Sequence, residues 1–192
     1  MSLKGILIPK LNKSSRLNIL PQMSCQEKIP RIIHQTFYSR ELPDVLQENV
    51  ARLKALNPDW DYRFYDDRDI EEFLTKNYPR EILDYYNRID PKYGAARADF
   101  FRYLLMYKVG GVYLDIKSTA TKPLNQVLLP GDRFLLSQWN NGVDTFDVWG
   151  KHYELDEFGG HEFQQWYIAC APGHPFLHAV IENVLRNIDV YI

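Results

Sequence analysis

The hydrophobic residues of the chain follow two periods, one typical of strands and one typical of helices. Strand-type runs are expected near residues 31–37, 60–65, 112–116, 134–137 and 166–170. Helix-type spacing is expected after residue 42, from 70, around 81–86, over 95–108 and from 175 onward. Because strands and helices alternate, the pattern predicts an α/β fold with a mainly parallel central sheet flanked by helices.

Two regions do not follow this alternation. Residues 1–28 show no sustained period and are predicted to be an irregular lead-in, so that a single domain occupies residues 29–192. Residues 139–160 are polar, aromatic and glycine-bearing, which predicts a long loop or an irregular hairpin. Long loops in compact domains are often functional, so this segment is a candidate part of a binding site.

The charge balance restricts the partners of the chain. Lys and Arg together number 23 and Asp and Glu number 25, which gives a formal net charge of -2. A chain without a basic excess is not expected to bind nucleic acid, because it cannot neutralise a phosphate backbone. A small phosphate-bearing molecule remains compatible with this charge, since it needs only a local positive pocket.

Hydropathy and cysteine content indicate in which cellular compartment the protein is expected. The sequence has no apolar run as long as a membrane span. Cys25 and Cys170 are too few for a disulfide framework or a zinc site, so the plainer expectation is a reduced, cytoplasmic protein. The basic residues before position 17 either make peripheral contact with a membrane or belong to a loose terminal segment, and the second interpretation is favoured.

Residues 97–124 hold the densest group of charged residues in an apolar context. Asp99 and Arg102 are three positions apart on an expected helix and share a face. They form either a surface ion pair that contributes little to stability or a pair that points into a cleft. Asp115 directly follows an apolar strand, and ligands of open α/β sheets lie beyond the carboxyl ends of the strands. Its carboxylate either holds a divalent cation or a ribose hydroxyl there, or merely starts a turn.

Several segments resemble the family 32 sugar transferases, which include yeast-type initiating mannosyltransferases, bacterial capsule transferases and, more distantly, the large clostridial glucosylating toxins. The most specific segment is the block from Arg97 to Asp115. The other matching segments are residues 29–35, 56–60, 65–67, 122–124 and 169–175. The resemblance therefore covers most of the chain, from residue 29 to about residue 185.

The resemblance implies a GT-A-type fold and a glycosyltransferase. Such an enzyme moves a hexose-type sugar from a UDP- or GDP-sugar donor to a glycan or protein acceptor, with retention at the anomeric carbon. On this mapping Asp99 and Arg102 grip hydroxyls of the donor sugar, and Asp115 is the first carboxylate of the family's Asp-x-Asp motif. The residues expected beside the nucleotide are Phe37, near the base, and Asp66 or Asp67, near the nucleoside.

The chain departs from the family pattern at Lys117, which stands where the motif has its second carboxylate. An ammonium group cannot bind a cation. Either Asp115 holds Mn²⁺ or Mg²⁺ with residues of the later half, or Lys117 replaces the metal at the diphosphate, or the domain binds a donor without transferring sugar. The first two alternatives are favoured because Asp99, Arg102 and Asp115 are all retained, and Asp99, Arg102 and Lys117 are the expected catalytic residues.

The later half supplies weaker candidates for the same site. His161 and His174 are candidates to complete a metal site with Asp115, because imidazole is a common ligand. His34 lies in the first expected strand, where a lone histidine is more often structural than catalytic.

A polar stretch after the fourth expected strand is the candidate acceptor side. Gln138, Trp139 and Asn140 lie there, where a ring and amide groups would stack on and hydrogen-bond to a sugar. The alternative is a polar loop that a single tryptophan anchors to the domain.

Overall fold

The computed structural model describes residues 19–139 and 148–191. The strands within these ranges are β1 (Ile32–Thr36), β2 (Asp61–Tyr65), β3 (Gly111–Leu114), β4 (Phe134–Leu135) and β5 (Tyr167–Cys170). The helices are α1 (Asp44–Leu56), α2 (Asp67–Asn77), α3 (Arg80–Arg88), α4 (Gly94–Val109), α5 (Leu124–Val127) and α6 (Pro175–Tyr191). The predicted alternation is confirmed, and the segment predicted as a long loop also contains a 3₁₀ helix, Tyr153–Phe158.

The strands form one sheet in the order β2-β1-β3-β5-β4. β1 pairs in parallel with both β2 and β3, whereas β5 is antiparallel to both β3 and β4. β5 therefore runs against the other strands, and the sheet is mainly parallel in strand direction, as expected. The carboxyl ends of β1, β2 and β3 meet at one edge of the sheet, and β5 begins at that same edge.

The two faces of the sheet bury different clusters, as the alternation along β3 illustrates. Tyr113 packs into the larger cluster, which contains residues of α2, α3, α4 and α6. Val112 and Leu114 pack into the smaller cluster, with Leu53 of α1 and Trp60. This alternation follows from the period of two of a strand, and it explains why β3 is buried along its whole length.

Helix α4 is buried around much of its circumference, which is typical of a helix inside a core. Its buried residues are Phe100, Phe101, Arg102, Leu104, Leu105, Met106 and Tyr107. Arg102 is the one charged residue among them. A buried charge needs partners, so its position marks the place where the core meets polar groups.

A tight turn of two glycines returns the chain from α4 into β3. Gly110 and Gly111 have φ angles of 67° and 105°, which only glycine adopts easily. The ψ of Gly110 is -167°, so the turn differs from the left-handed helical cap that the sequence predicts. A Cβ on Gly110 would lie 2.6 Å from Cδ of Pro172, and one on Gly111 would lie 2.6 Å from the carbonyl oxygen of Ile32. The turn brings the end of β3 back alongside α4.

The described part of the predicted lead-in, residues 19–28, contains no helix or strand, yet it packs on the core. Leu20 is buried. The Tyr107 hydroxyl donates to the carbonyl of Pro21 at 3.0 Å and accepts from the N–H of Met23 at 3.0 Å. Among the described residues, every helix is too short or too polar to span a bilayer.

Candidate active site

Arg102 joins α4 to the carboxyl end of β3. Its guanidinium pairs with the Asp99 carboxylate one turn earlier, and its Nη1 lies 3.1 Å from Oδ1 of Asp115. The Arg102 side chain is 7% exposed, while those of Asp99 and Asp115 are 46% and 44% exposed. The pair of Asp99 and Arg102 is therefore not a surface ion pair, because a buried cation is shared between two half-exposed carboxylates.

Other contacts fix the Arg102 guanidinium in place. Nη1 also donates to the carbonyl of Gln165 at 2.6 Å, and the guanidinium lies over the Tyr113 ring at 5.5 Å. Its Nε is buried and has no hydrogen-bond partner within the described ranges. Arg102 thus lies beneath the two carboxylates, which are the more exposed groups of the cluster.

Asp115 begins a turn and also lines the cleft described below, and its role towards a cation or a ribose hydroxyl stays a prediction. Its backbone N–H donates to the Trp166 carbonyl at 2.8 Å, and its carbonyl accepts from the Ser118 N–H at 2.7 Å. Partial burial raises the pKa of the Asp115 carboxyl, and the nearby Arg102 charge acts in the opposite direction.

A cleft of about 630 Å³ opens where β1 and β3 end, and we call it the β1–β3 cleft. Its walls come from the segments after β1 and β3, from the first turns of α2 and α4, and from the end of α3. The residues that line it include Phe37, Asp67, Tyr86, Gly94, Ala95, Arg97, Tyr113, Asp115 and Lys117. A cleft of this volume is within the range of small-molecule sites.

The structure brings most of the residues expected around the nucleotide to this cleft. Phe37, Asp67, Asp115 and Lys117 all line it. Asp66 has another role: its carboxylate accepts from the N–H of Asp69 and caps α2.

The other contacts of Asp66 and Asp67 agree with their different positions, at the cap of α2 and in the cleft. Asp66 also pairs with Arg40 at 2.9 Å. The N–H of Asp69 is the main cause that lowers the pKa of Asp66, whereas burial raises the pKa of Asp67. Of the two neighbours, Asp67 is the one that lines the cleft.

Residues 43–135 match a family described as the glycosyltransferase sugar-binding region containing the DXD motif. That stretch contains Asp99, Arg102 and Asp115, the residues that the geometry brings together. The chain belongs to this glycosyltransferase family. The family assignment made from sequence motifs is confirmed.

Relatives of this glycosyltransferase chain include two yeast proteins. It is 34% identical over 163 residues to the mannosyl phosphorylinositol ceramide synthase SUR1 of Saccharomyces cerevisiae, covering 85% of this chain and 36% of the relative. It is 28% identical over 158 residues to inositol phosphoceramide mannosyltransferase 3 of Schizosaccharomyces pombe, covering 82% of this chain and 38% of the relative. The chain thus spans less than two fifths of the length of either relative.

A solved structure confirms the fold. The PaToxG glycosyltransferase superposes with a TM-score of 0.60 at 16% identity, covering 84% of this chain and 62% of that one. The GT-A-type α/β architecture is therefore shared at a level of identity where sequence alone says little about shape.

The predicted acceptor side lies in part outside the described residues, which exclude Asn140. Gln138 pairs through a single bridge with Phe163. Trp139 donates its Nε1–H to Glu162 at 3.2 Å, and its ring centroid lies 4.9 Å from that of Trp149. These contacts match the alternative in which a tryptophan anchors the loop, and the acceptor roles of Gln138 and Trp139 stay predictions.

The two candidate histidine ligands lie in different places. His161 pairs with Lys151 through a single bridge in the segment before β5. His174 follows β5, whose last residue, Cys170, is opposite Gly111 at the start of β3. The structure therefore places His174 at the sheet edge away from Asp115 and does not bring the two together. The His174 ring packs on Phe134 at 4.5 Å instead, and burial lowers its pKa.

The side chains at the site do not fit a metal held by the protein alone. The described ranges contain no group of three or more His, Cys, Asp or Glu residues that could hold an ion. The accessible carboxylates, Asp99 and Asp115, already share Arg102, and Lys117 stands where the next carboxylate of the motif would be.

Arg97 is the residue of the cleft that the sequence did not single out. It lies in the first turn of α4 and lines the cleft, its Nε donates to the carbonyl of Ile89 at 2.8 Å, and its guanidinium lies 5.0 Å from the Tyr86 ring centroid. A sequence signal did exist, because a cation in the first turn of a helix opposes the helix dipole. Such a residue has an electrostatic cost unless an anion is bound nearby.

His34 is structural, as its place in the first strand predicted. It is fully buried, its Nε2–H donates to the carbonyl of Gly110 at 2.9 Å, and its Nδ1 lies 3.1 Å from the Tyr65 hydroxyl. Burial is the main cause that lowers the pKa of His34 to about 4. The neutral ring ties the turn after α4 to the core, and His34 is not among the residues that line the cleft.

Proposed function

We propose that this chain is the catalytic region of a nucleotide-sugar-dependent glycosyltransferase that moves a hexose with retention of anomeric configuration. The donor is a UDP- or GDP-sugar, and the acceptor is a glycan or a protein. The observation that carries the proposal is the cluster of Asp99, Arg102 and Asp115 beside the β1–β3 cleft.

The cleft offers a different kind of group to each part of such a donor. Phe37 follows β1 and supplies an aromatic face for the base, and Asp67 supplies a carboxylate for ribose hydroxyls. Asp99 and Asp115 accept hydrogen bonds from hydroxyls of the sugar, and Arg102 orients both carboxylates. Lys117 supplies positive charge for the diphosphate.

Cleavage of the donor bond separates two charges, a negative one on the leaving diphosphate and a positive one at the anomeric carbon. As the bond between the anomeric carbon and the diphosphate oxygen breaks, negative charge grows on the leaving diphosphate. A fixed cation at that position lowers the barrier, because it is in place before the charge develops. Lys117 is the residue proposed for this role, and the acceptor hydroxyl approaches from the side of residues 137–139 and 148–165.

The names of the relatives indicate the first substrates to test. Two are named as proteins that mannosylate inositol phosphoceramide, so GDP-mannose and an inositol phosphoceramide head group belong in the first donor and acceptor panels. A lipid-linked acceptor is thereby added to the glycan and protein acceptors.

The test is release of nucleoside diphosphate from a panel of UDP- and GDP-sugars, with and without acceptor. We expect Asp99→Ala to reduce the rate with the active donor by about 10²–10³-fold, the usual effect of removing one group that contacts the transition state. Asp84→Ala is the matched control, because Asp84 is a 62% exposed aspartate on α3. Full activity in a well-folded Asp99→Ala variant would contradict the proposal.

A second function, a non-catalytic donor-binding module, is favoured by one observation, the lysine at position 117. Such a module binds a nucleotide sugar but neither transfers nor hydrolyses it. Donor binding without release of nucleoside diphosphate, for every donor and acceptor in the panel, would establish this second function instead.

A further inference from the structure

The β1–β3 cleft contains two cations from different elements that lack acidic partners. Arg97 comes from the first turn of α4, and Lys117 from the turn after β3. Within the described ranges neither forms a salt bridge, whereas the arginines that pair with carboxylates are Arg40, Arg63, Arg80, Arg88, Arg102 and Arg186. Two cations left without acidic partners in one cleft suit an anionic ligand.

The Arg97 guanidinium is held in place by a backbone carbonyl and an aromatic ring rather than by an ion pair. Its Nε donates to a backbone carbonyl at 2.8 Å, and the Tyr86 ring lies beneath it at 5.0 Å. These contacts leave the terminal amino groups, which form the fork that suits phosphate oxygens. A side chain ordered in this way loses little entropy when a ligand binds.

The amino terminus of α4 adds backbone donors to the same wall. Gly94 and Ala95 line the cleft, Tyr93 at the N-cap makes no side-chain cap, and the first turn contains no acidic residue. A Cβ built on Gly94 would meet nothing within 4 Å, so the backbone is open at that point. The first N–H groups of a 16-residue helix, together with its dipole, favour a bound anion.

Among the described residues, the carboxylates in the cleft form no ion pair with these cations, although the Asp67 carboxylate attracts Arg97 electrostatically. Asp115 shares Arg102, and Asp67 lies near Arg97 without forming an ion pair. The cleft therefore offers carboxylates for hydroxyl groups and cations for phosphates. A nucleoside diphosphate sugar carries both kinds of group in one molecule.

We infer that Arg97, Lys117 and the amino terminus of α4 bind the diphosphate of the donor directly, without a divalent cation. The inference rests on the proposed function for the identity of the donor. The inference adds Arg97 to the proposed function as a second residue that binds the diphosphate together with Lys117. The residues at the site do not fit a metal held by the protein, and this clamp supplies the positive charge in its place.

The test is calorimetric binding of UDP, GDP and inorganic pyrophosphate in EDTA to the whole chain and to four variants. We expect Arg97→Gln and Lys117→Gln each to weaken binding of the preferred nucleotide roughly tenfold or more, as expected for loss of a charge-assisted hydrogen bond. Arg97→Lys should retain part of the affinity. Lys122→Gln is the control, because Lys122 is an exposed lysine five positions from Lys117 that lines a different cavity.

The outcomes separate the clamp from the proposed reaction. Tight binding in EDTA that both charge-removing variants weaken, with unchanged melting temperatures, supports the clamp whether or not sugar is transferred. Binding that needs Mn²⁺ or Mg²⁺ and is unaffected by Arg97→Gln overturns the clamp even if transfer is observed. If Arg97→Gln lowers the melting temperature, the deciding measurement is the salt dependence of pyrophosphate binding to Arg97→Lys. If Arg97→Lys binds pyrophosphate as weakly as Arg97→Gln does, and salt does not change that affinity, the clamp is overturned.

Discussion

Nη1 of Arg102 lies 3.1 Å from Oδ1 of Asp115, while the same guanidinium pairs with Asp99. One buried side chain thus sets the separation of two carboxylates that belong to different elements of the fold. The sequence separation of Arg102 and Asp115 is bridged by the glycine turn, which returns the chain along α4. Because Asp99 and Asp115 share one cation, the effects of mutations at Asp99, Arg102 and Asp115 should not be additive.

Replacement of Arg102 should damage both the fold and the site. Arg102→Met leaves the Gln165 carbonyl without its donor and the two carboxylates without a counter-charge. We expect a loss of about 1–3 kcal/mol in the free energy of unfolding, measured by urea denaturation, together with loss of nucleoside diphosphate release. Arg102→Lys keeps the charge but has no planar fork, so it should recover stability more than activity. Equal activity of Arg102→Met and the unmodified chain would refute this linkage.

Lys117→Asp restores the family's second carboxylate and should convert the site to metal dependence. Nucleotide binding in EDTA should weaken by at least about tenfold, because a cation is replaced by an anion beside the diphosphate. Added Mn²⁺ should then recover binding, since one or two carboxylates together with ligand phosphates can hold a hard cation. Titration with Mn²⁺ checks this, and a variant that binds as well in EDTA as the unmodified chain would contradict it.

His34 should make the stability of the domain depend on pH in the acidic range. Its pKa falls from 6.5 in the unfolded chain to about 4 in the fold, so the folded state favours the neutral ring. This contribution to stability is present above pH 6.5 and is lost as the pH falls towards 4, where the unfolded chain takes up a proton first. The loss is on the order of 3 kcal/mol, because one pKa unit corresponds to about 1.4 kcal/mol.

Urea denaturation at several pH values measures this effect. In His34→Gln the difference in unfolding free energy between acidic and neutral pH should be smaller than in the unmodified chain. His152→Gln is the control, because the His152 side chain is 49% exposed and pairs with Glu162 at the surface. A pH dependence unchanged by His34→Gln would show that other groups cause it.

The glycine turn should tolerate no side chain. In Gly110→Ala the new Cβ would lie 2.6 Å from Pro172 at a φ of 67°, so both strain and a clash oppose folding. We expect destabilisation of about 2 kcal/mol or more, measured by thermal unfolding. Gly131→Ala is the matched control, since Gly131 also has a positive φ, 96°, but nothing lies within 4 Å of the added Cβ. Equal melting temperatures for the two variants would refute the role of close packing.

Sequence patterns predicted the elements and the cluster at the end of β3, because these depend on local periodicity and on a compact motif. They could not show which side chains from distant parts of the sequence lie close together, because that depends on the strand directions and on the packing of the helices. His174 and Asp115 both follow strands, but β5 runs against β3, so their side chains lie at different edges of the sheet. Arg97 appeared to be one of several charges near the start of a helix, and only the three-dimensional position of Ile89 and Tyr86 fixes it in the cleft.

Asp66 and Asp67 are adjacent in sequence, and the fold gives them separate roles that mutation should separate. Asp66→Ala removes the cap of α2, because the carboxylate accepts from the Asp69 N–H at 2.9 Å. It should cost about 1 kcal/mol of stability and leave nucleotide binding unchanged. Asp67→Ala should show the reverse, with little change in melting temperature and weaker binding of UDP or GDP, because Asp67 lines the cleft.

The pair of variants controls itself, since each replaces an aspartate by alanine at neighbouring positions. Melting temperature and nucleotide affinity are measured for both variants. We expect Asp66→Ala to lower the melting temperature and Asp67→Ala to lower the nucleotide affinity. If Asp66→Ala weakened binding while Asp67→Ala did not, the nucleoside would have to lie on the Arg40 side of α2, where Asp66 forms its ion pair. The β1–β3 cleft would then not hold the nucleoside, and the placement of the donor proposed above would be wrong.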